Sequence, residues 1–331
     1  MIFFCFSLNL ILFYFFYKYK DFVSKKLNLI SYVNKNTFHK KNAYLYGGIL
    51  LFPSLVITYV YLYFSKIENL YFNYPLVFSF LILAIIDDIK NLKPIIKIFF
   101  SLILSSVAIF FDITLTINSL NSYYFQLFVF TDNLLIVYFF PVLCILLLIN
   151  AFNFTDGLNC LAGLVGLSFF IYICIKNYEV INSLYLLIIS IIIFLYLNYK
   201  KFIFLGDSGN YLISIITAAI ILKENFYNPE GYYIEEIFLL FLIPGVDMLR
   251  LFITRIIKKR NPFERDDHHF HYLLFYNFGY HKTILLYLCL VNIPIYIFYF
   301  FNNLILLIIL FTLFFYAYLI YISYLNKSKA T

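Results

Sequence analysis

The sequence has few of the residues that form the surface, the hinges and the cross-links of a soluble protein. Of its 331 residues, 12% are Asp, Glu, Lys or Arg, and Trp is absent. It contains 8 Pro and 10 Gly, and no low-complexity linker or internal repeat divides it. Its five Cys are odd in number and form no CxxC pair, which argues against a disulfide framework or a zinc site. We therefore expect one domain over residues 1–331.

Hydrophobic residues make up 64% of the chain, and the mean hydropathy is +0.90. The interior of a soluble protein of this size could not bury so much Ile, Leu and Phe, whereas a lipid bilayer can. Apolar runs of membrane-spanning length recur from end to end. The eleven runs cover residues 2–17, 44–64, 72–88, 94–111, 134–149, 161–175, 180–197, 209–222, 234–254, 283–301 and 304–325. The sequence thus predicts an all-α, polytopic integral membrane protein with about eleven transmembrane helices.

The positive charges are distributed unequally between alternate connections of these helices. With the N-terminus outside, the inner segments hold 21 of the 24 Lys and Arg residues, and only Lys66, Lys176 and Lys223 lie outside. Positive residues are retained on the cytoplasmic side of membrane proteins. We therefore expect an outside N-terminus and a cytoplasmic C-terminus. The net charge of +7 then reflects topology and gives no reason to expect a nucleic acid as partner.

Two adjacent carboxylates, Asp87 and Asp88, stand at the inner end of the third apolar run. An ionised Asp within the bilayer costs roughly 2.5–3.5 kcal/mol on insertion scales, and the C-terminus of a helix also disfavours negative charge. Successive helical residues point in different directions, so the two carboxylates are not redundant. They could form a solvated helix end paired with Lys90 or Lys93. The costs favour a divalent metal and a phosphorylated substrate instead.

Two further polar clusters precede helices on the same side of the membrane. Asn150, Asn153, Asp156 and Asn159 recur at intervals of three, which places them along one face of a helical turn. In residues 206–209, with the sequence GDSG, the glycines allow close approach, and the free N–H groups of the following helix favour phosphate. Each cluster could also be a simple helix cap. Their common side favours a functional site on the cytoplasmic face.

The long inner loop over residues 258–271 combines basic residues with a DDHHxH run. That run contains Asp267, His268, His269 and His271. Clustered imidazoles and carboxylates suit work on phosphate or metal. The Lys-Lys-Arg part of the loop could instead be a basic anchor on anionic lipid headgroups.

Other charged residues have simpler interpretations. Asp247 and Arg250 form an i,i+3 pair on the preceding span, and they either serve the site or neutralise each other inside the bundle. Acidic residues in the outer connections, such as Asp112, are expected to be solvated surface. We therefore place the predicted chemistry on the inner clusters alone.

Taken in order, these clusters resemble the polyprenyl-phosphate N-acetylhexosamine-1-phosphate transferases, which include the phospho-MurNAc-pentapeptide translocase. The likeness extends over nearly the whole chain, from His39 to His271. The family's motifs are matched by Asp87, Asp88, Leu92 and Lys97 for DD-x3-L-x4-K; by residues 150–162 for NAxNxxDGLDGLA; by residues 204–210 for F-x-GDxGS; by Pro244, Asp247, Arg255, Pro262, Phe263, His269 and His271 for P-x-x-D…R…PF…D…HxHH; and by Gly47 and Gly48, after His39 and Lys41, for an early glycine pair and basic loop. The chain departs from the pattern at Asn159, Cys160, Asn210 and Tyr272, where the family usually has Asp, Gly, Ser and His.

Members of this family move a sugar 1-phosphate from a UDP-sugar onto a membrane polyprenyl phosphate and release UMP, using Mg²⁺. The resemblance implies the same reaction here, with UDP-HexNAc and polyprenyl phosphate as partners in a bacterial cytoplasmic membrane. It implies a role at the start of a cell-envelope glycan such as O-antigen, teichoic acid or capsule. Mn²⁺ in place of Mg²⁺ and a homodimer are both compatible with it. The departures argue against the peptidoglycan translocase.

The resemblance also suggests roles for single residues. The expected metal ligands are Asp207 and Asp156. The expected catalytic residues are Asp87, Asp88, His269 and His271. The expected substrate-binding residues are His39, Lys41, Lys97, Asn150, Asn153, Asn159, Gly206, Arg255, Asp267 and His268. Whether Asp87 acts as base, nucleophile or positioning group stays open, and a carrier or flippase of lipid-linked sugars and an inactive, scaffolding homologue are the alternative functions.

Overall fold

The chain is mostly helical in this computed structural model, which describes residues 2–31, 43–65, 72–124, 126–129, 133–263 and 268–330. The α-helices within the described residues are α1 Ile2–Lys18, α2 Lys20–Lys26, α3 Gly47–Phe64, α4 Tyr74–Lys90, α5 Pro94–Phe111, α6 Leu134–Asn153, α7 Leu161–Lys176, α8 Ile181–Tyr199, α9 Gly206–Tyr227, α10 Ile234–Ile257, α11 Phe270–Phe278, α12 Tyr280–Phe300 and α13 Ile305–Ala330. Each of the eleven predicted runs coincides with one of the helices of 16 residues or more.

Seven of the described helical segments are long and apolar enough to cross a membrane. They are Gly47–Phe64, Pro94–Phe111, Leu134–Asn153, Tyr178–Tyr199, Ile234–Ile257, Tyr280–Phe300 and Asn302–Leu325. Helices α1 and α7 are apolar but shorter, while α4 and α9 carry charged residues near their ends. These findings confirm a polytopic, predominantly α-helical membrane protein. The count of eleven spans and the orientation stay predictions.

Helix α9 forms the centre of the bundle. Nearly all of its residues are buried, and it packs against α3, α4, α6 and α7. Between its polar ends, residues 211–222 are mostly apolar and include several small residues, which is typical of a helix surrounded by other helices. Because α9 begins at Gly206, its N-terminus brings the predicted GDSG segment against the ends of several neighbours.

A small sheet fixes the chain just before α9. Strand β1 (Ile30–Ser31) pairs antiparallel with β2 (Ala43–Leu45), and β2 pairs parallel with β5 (Ile203–Phe204). A separate hairpin is formed by β3 (Ser119–Ser122) and β4 (Gln126–Val129). The sequence did not predict these strands, because segments of two to four residues carry no recognisable alternation.

The opposite end of the bundle, about 25 Å along α9 from its start, is held by partly buried ion pairs. Lys223 Nζ lies 3.0 Å from Asp112 Oδ2, which also accepts a hydrogen bond of 2.7 Å from Asn73 Nδ2. Lys176 Nζ lies 3.2 Å from Glu236 Oε1. The expectation that Asp112 is solvated surface is therefore wrong. Its partners come from helices distant in sequence, so the polar loop around Asp112 did not reveal them.

Candidate active site

The two predicted aspartates of α4 have different partners, and Asp88 binds the start of α9. The backbone N–H groups of Asp207 and Ser208 donate to the two carboxylate oxygens of Asp88 over 2.8 Å and 3.0 Å. The first N–H groups of a helix have no partner within the helix and favour negative charge. From the sequence we expected a phosphate to accept hydrogen bonds from these N–H groups, but Asp88 accepts two of them. Asp88 thus acts as a cap supplied by another helix.

Gly206 permits this contact in two ways. Its φ of +71° lies in the left-handed region that side chains rarely adopt. A Cβ atom on Gly206 would also lie 2.9 Å from Asp88 Oδ2. Glycine at this position therefore lets Asp88 approach the backbone closely, and the substrate-binding role of Gly206 stays a prediction.

Lys97 joins the other carboxylate of α4 to α9. Its ammonium group contacts the carboxylate of Asp87 and lies 2.9 Å from Asp207 Oδ2. Asp87 Oδ1 also accepts from the backbone N–H of Leu92 over 2.8 Å, which holds the turn that leads into α5. Helices α4, α5 and α9 thus each contribute one charged side chain to one point. As ionised groups, two carboxylates and one ammonium leave one negative charge for a further cation.

The second predicted cluster meets α9 one turn further along. Asn210 Nδ2 donates to Asp156 Oδ2 over 2.7 Å and lies 3.3 Å from Asn153 Oδ1. The sequence noted Asn210 only as a departure from the family pattern and not as a site residue. Its position three residues after Asp207 was the available signal, because residues i and i+3 lie on one face of a helix.

Asp156 combines solvent access with crowding by protein atoms. Its side chain is exposed, yet desolvation by the surrounding protein raises its pKa to about 6, against the lowering effect of the Asn210 hydrogen bond. The charge of Asp207 raises the pKa of Asp156 further. The two carboxylates are therefore close enough to interact electrostatically, as a shared cation site requires.

The start of α11, which carries the predicted histidines, is held by the Asp247–Arg250 pair of α10. Asp247 Oδ1 accepts from Arg250 Nη2 over 2.7 Å, and Asp247 Oδ2 accepts from the backbone N–H of Phe270 over 3.1 Å. Arg250 Nη2 also donates to the backbone oxygen of His268 over 2.6 Å. The pair thus neutralises itself and at the same time holds the start of α11.

The two predicted catalytic histidines face the Asn153–Cys160 turn. The ring of His269 lies against Phe154, with centroids 5.0 Å apart, and it stacks on His271. His271 is buried, and a Cβ atom on Gly157 would lie 2.1 Å from its Nε2. Burial, with a smaller contribution from His269, lowers the pKa of His271 well below its ordinary value. The lowered pKa favours neutral His271, in which one ring nitrogen can donate and the other can accept a hydrogen bond.

Arg255 and Tyr272 also contact this turn or the loop beside it. The buried guanidinium of Arg255 donates to the backbone oxygen of Pro262 over 2.7 Å, and its Cζ lies 5.9 Å from the ring centroid of Phe154. Tyr272, where the family usually has His, donates through its hydroxyl to the backbone oxygen of Gly157 over 3.3 Å. Tyr272 therefore links α11 to the Asn153–Cys160 turn, although it replaces the usual His.

Other predicted residues lie apart from these contacts. Asn150 Nδ2 donates to the backbone oxygen of Leu146 over 2.7 Å within its own helix. Asn159 is half-buried, and its backbone oxygen accepts from the Tyr280 hydroxyl over 2.9 Å. The predicted residues His39, Lys41 and Asp267 lie outside the described residues.

The oxygen donors at this point fit magnesium. Among the residues that the structure describes, no three His, Cys, Asp or Glu side chains gather as a complete metal site. Mg²⁺ is usually held by one or two carboxylates together with waters and substrate phosphates. Asp87 and Asp207 already share one cation, the Lys97 ammonium, and the exposed Asp156 lies near Asp207. The described residues therefore suit a metal that binds together with a phosphorylated ligand.

Comparison with known proteins shows which class of protein the chain resembles. Residues 72–225 match the model of glycosyl transferase family 4. Over 266 residues the chain is 28% identical to an undecaprenyl-phosphate α-N-acetylglucosaminyl 1-phosphate transferase of Thermotoga maritima, covering 80% of this chain and 78% of that protein. It is 27% identical to a phospho-N-acetylmuramoyl-pentapeptide-transferase of Dictyoglomus turgidum over 254 residues, which are 72% of this chain and 76% of that protein. It is also 26% identical to an undecaprenyl-phosphate α-N-acetylglucosaminyl 1-phosphate transferase of Escherichia coli K12 over 271 residues, which are 76% of this chain and 70% of that protein. The chain is thus similar to glycosyl transferase family 4 over residues 72–225 and, over most of its length, to transferases that act on polyprenyl phosphate.

Proposed function

We propose that the protein is a membrane transferase that moves HexNAc 1-phosphate from UDP-HexNAc to polyprenyl phosphate and releases UMP. The observation that carries this proposal is the meeting of Asp87, Lys97 and Asp207 at the start of α9. Each residue comes from a different helix, and such a charged cluster at a bundle end is costly unless it serves ligands. The names of the relatives supply the reaction class.

The charges of the two substrates define the main barrier. The acceptor is a phosphate monoester with a second pKa near 6, so at neutral pH it is mostly a dianion already. A general base would therefore add little. The acceptor must instead approach the β-phosphorus of an anionic diphosphate, and positive charge fixed in the site lowers that repulsion.

The described residues divide this work between them. Asp207 and Asp156 would hold Mg²⁺, with Asp87 completing its shell, and when bound the metal neutralises charge on the diphosphate. Lys97 provides fixed positive charge for the acceptor phosphate. Asp88 sets the position of Asp207 by capping α9. Because Asp87 is already paired with Lys97, its contacts favour positioning over base or nucleophilic catalysis.

The remaining contacts suit the nucleotide sugar. Asn153 and Asn159 offer amide donors and acceptors of the kind that pair with a uracil edge. His269 and Arg255 lie against Phe154 of the Asn153–Cys160 turn and His271 lies against Gly157, where they are suited to the diphosphate and the sugar.

We further propose that this site lies on the cytoplasmic face of a bacterial inner membrane and that the product starts a cell-envelope glycan. The cluster lies at the end of the bundle where α4 ends and α5 begins, beside Lys90, Lys93 and Lys97. Lys176 and Lys223 occupy the opposite ends of α7 and α9. This distribution supports the orientation expected from the positive charges.

The test is an assay on purified protein with labelled UDP-sugar, polyprenyl phosphate and Mg²⁺. A panel of UDP-GlcNAc, UDP-FucNAc and UDP-QuiNAc identifies the donor. Metal-dependent UMP release together with labelled lipid supports the transferase. Movement of a preformed lipid-linked sugar across vesicles without UMP release would favour a carrier instead. Neither activity with any donor would favour an inactive scaffold.

A further inference from the structure

The amide of Asn210 connects two residues of the Asn153–Cys160 turn. Asn210 is buried on the central helix, and its Nδ2 lies 2.7 Å from Asp156 Oδ2 and 3.3 Å from Asn153 Oδ1. An ionised carboxylate only accepts hydrogen bonds, so the amide must present its NH₂ group to Asp156. That group has two hydrogens, which serve both acceptors at once.

This arrangement fixes what the two turn residues offer to a ligand. Asp156 has one oxygen held by Asn210, and because the residue is exposed, its second oxygen is the one available to a ligand. Because Asn153 Oδ1 faces Asn210, the Nδ2 of Asn153 is the atom left to donate. An acceptor and a donor are thus presented side by side.

Two features indicate that Asn210 serves this purpose rather than packing. Its own Oδ1 is buried without a hydrogen-bond partner among the described residues, which is a cost that a purely structural amide would avoid. A serine, which the family pattern has at this position, ends one bond nearer the backbone and has one hydrogen. Serine would therefore serve at most one of the two acceptors.

We propose that Asn210 is a positioning residue that orients Asp156 and Asn153 toward a nucleoside diphosphate and its divalent cation. The Asp156 oxygen accepts from water on the cation or binds the cation itself, and the Asn153 amide donates to an oxygen of the nucleotide. This inference rests on the proposed function and deepens it. It makes Asn210 a determinant of nucleotide and metal affinity at a position where the family pattern usually has Ser.

The test measures binding of Mn²⁺ with UDP to the purified full-length protein, by electron paramagnetic resonance and without any acceptor lipid. Removing residues that orient metal ligands typically weakens metal binding about 10- to 100-fold. We expect Asn210→Asp and Asn210→Ala to weaken Mn²⁺ binding in the presence of UDP by about 10-fold or more. Asn210→Ser, which keeps one donor, should fall between these variants and the wild type.

Thr217→Ala is the matched control. Thr217 lies seven residues further along the same face of α9, is equally buried, and its hydroxyl donates only to the backbone oxygen of Ile213 over 2.8 Å. We expect it to bind Mn²⁺ and UDP like the wild type, whatever its melting temperature. If one Asn210 variant does not fold, Asn210→Ser tests the same point, because serine is the usual residue at this position in the family.

The inference is overturned if Asn210→Asp and Asn210→Ser bind Mn²⁺ in the presence of UDP within twofold of the wild type. It is also overturned if the affinity of all variants falls in proportion to their melting temperature, or if the wild type binds no Mn²⁺ with UDP. A wild type that shows Asn210-dependent binding but no transfer to lipid would refute the proposed transferase alone. An active wild type whose binding ignores Asn210 would refute this inference alone.

Discussion

At the residue scale, Cys160 has a backbone conformation that side chains avoid. Its φ of +66° lies in the left-handed region, which costs an L-residue about 1–2 kcal/mol. Its N–H donates to Asn198 Oδ1, and Asn198 Nδ2 donates to the backbone oxygen of Ile203 in β5 over 2.6 Å. The turn is therefore held in this shape from α8, although Cys stands where the family usually has Gly.

We expect Cys160→Gly to raise the free energy of unfolding by about 1 kcal/mol, because glycine adopts this conformation without the steric cost. Cys144→Gly is the control, since Cys144 lies inside α6. There glycine should lower the free energy of unfolding, because Gly within a helix is about 0.5–1 kcal/mol less favourable than Ala. Thermal denaturation in detergent compares the two. Equal losses in both variants would contradict the strained turn.

At the scale of elements, α3 fits against the start of α9 because it begins with two glycines. A Cβ atom on Gly47 would lie 2.5 Å from the backbone oxygen of Leu205, and one on Gly48 would lie 2.6 Å from the backbone carbon of Ser208. The neighbouring atoms are backbone and cannot turn aside. The glycine pair thus sets how close α3 comes to the segment that carries Asp207.

Gly48→Ala should destabilise the protein by about 1–3 kcal/mol, because the added methyl group must displace the start of α9. We also expect it to reduce UMP release. Gly245→Ala in α10 provides the comparison, since a Cβ atom there meets nothing within 4 Å. That variant should be neutral or more stable by up to about 1 kcal/mol. Equal melting temperatures for both variants would show that the contact is not tight.

The site elements differ in how far the sequence predicted them. Asp87 and Asp88 were found because carboxylates at the end of an apolar run are costly, but their separate partners were not, since sequence does not show which helices meet. Asn210 was missed because its role depends on a turn more than 50 residues away in sequence. The paired state of Asp112 was missed for the same reason.

At the scale of the whole molecule, the charged side chains lie in two groups, one at each end of the bundle. One end carries the candidate site, and the other carries the paired Lys176 and Lys223. Composition and the distribution of Lys and Arg were enough to predict this arrangement, because both follow from the bilayer and need no knowledge of side-chain contacts. The face that is cytoplasmic can be identified by labelling.

Two exposed positions test the proposed orientation. Tyr178 lies between α7 and α8 at the end opposite the site, and Lys200 lies after α8 at the end with the site. In a chain whose five native cysteines are replaced, we expect a membrane-impermeant maleimide to label Tyr178→Cys in intact cells. Lys200→Cys should react only after the cells are opened. The reverse pattern would place the site outside.

The central claim is that acidic side chains from separate helices act together on one magnesium-bound diphosphate. The most direct measurement is Mg²⁺-dependent UMP release by the wild type and by Asp207→Asn, with Glu230→Gln as an exposed acidic control. We expect Asp207→Asn to lower the rate about 100-fold or more, by analogy with loss of a transition-state-stabilising group, while Glu230→Gln keeps full activity. Release by Asp207→Asn at the wild-type rate would contradict the account.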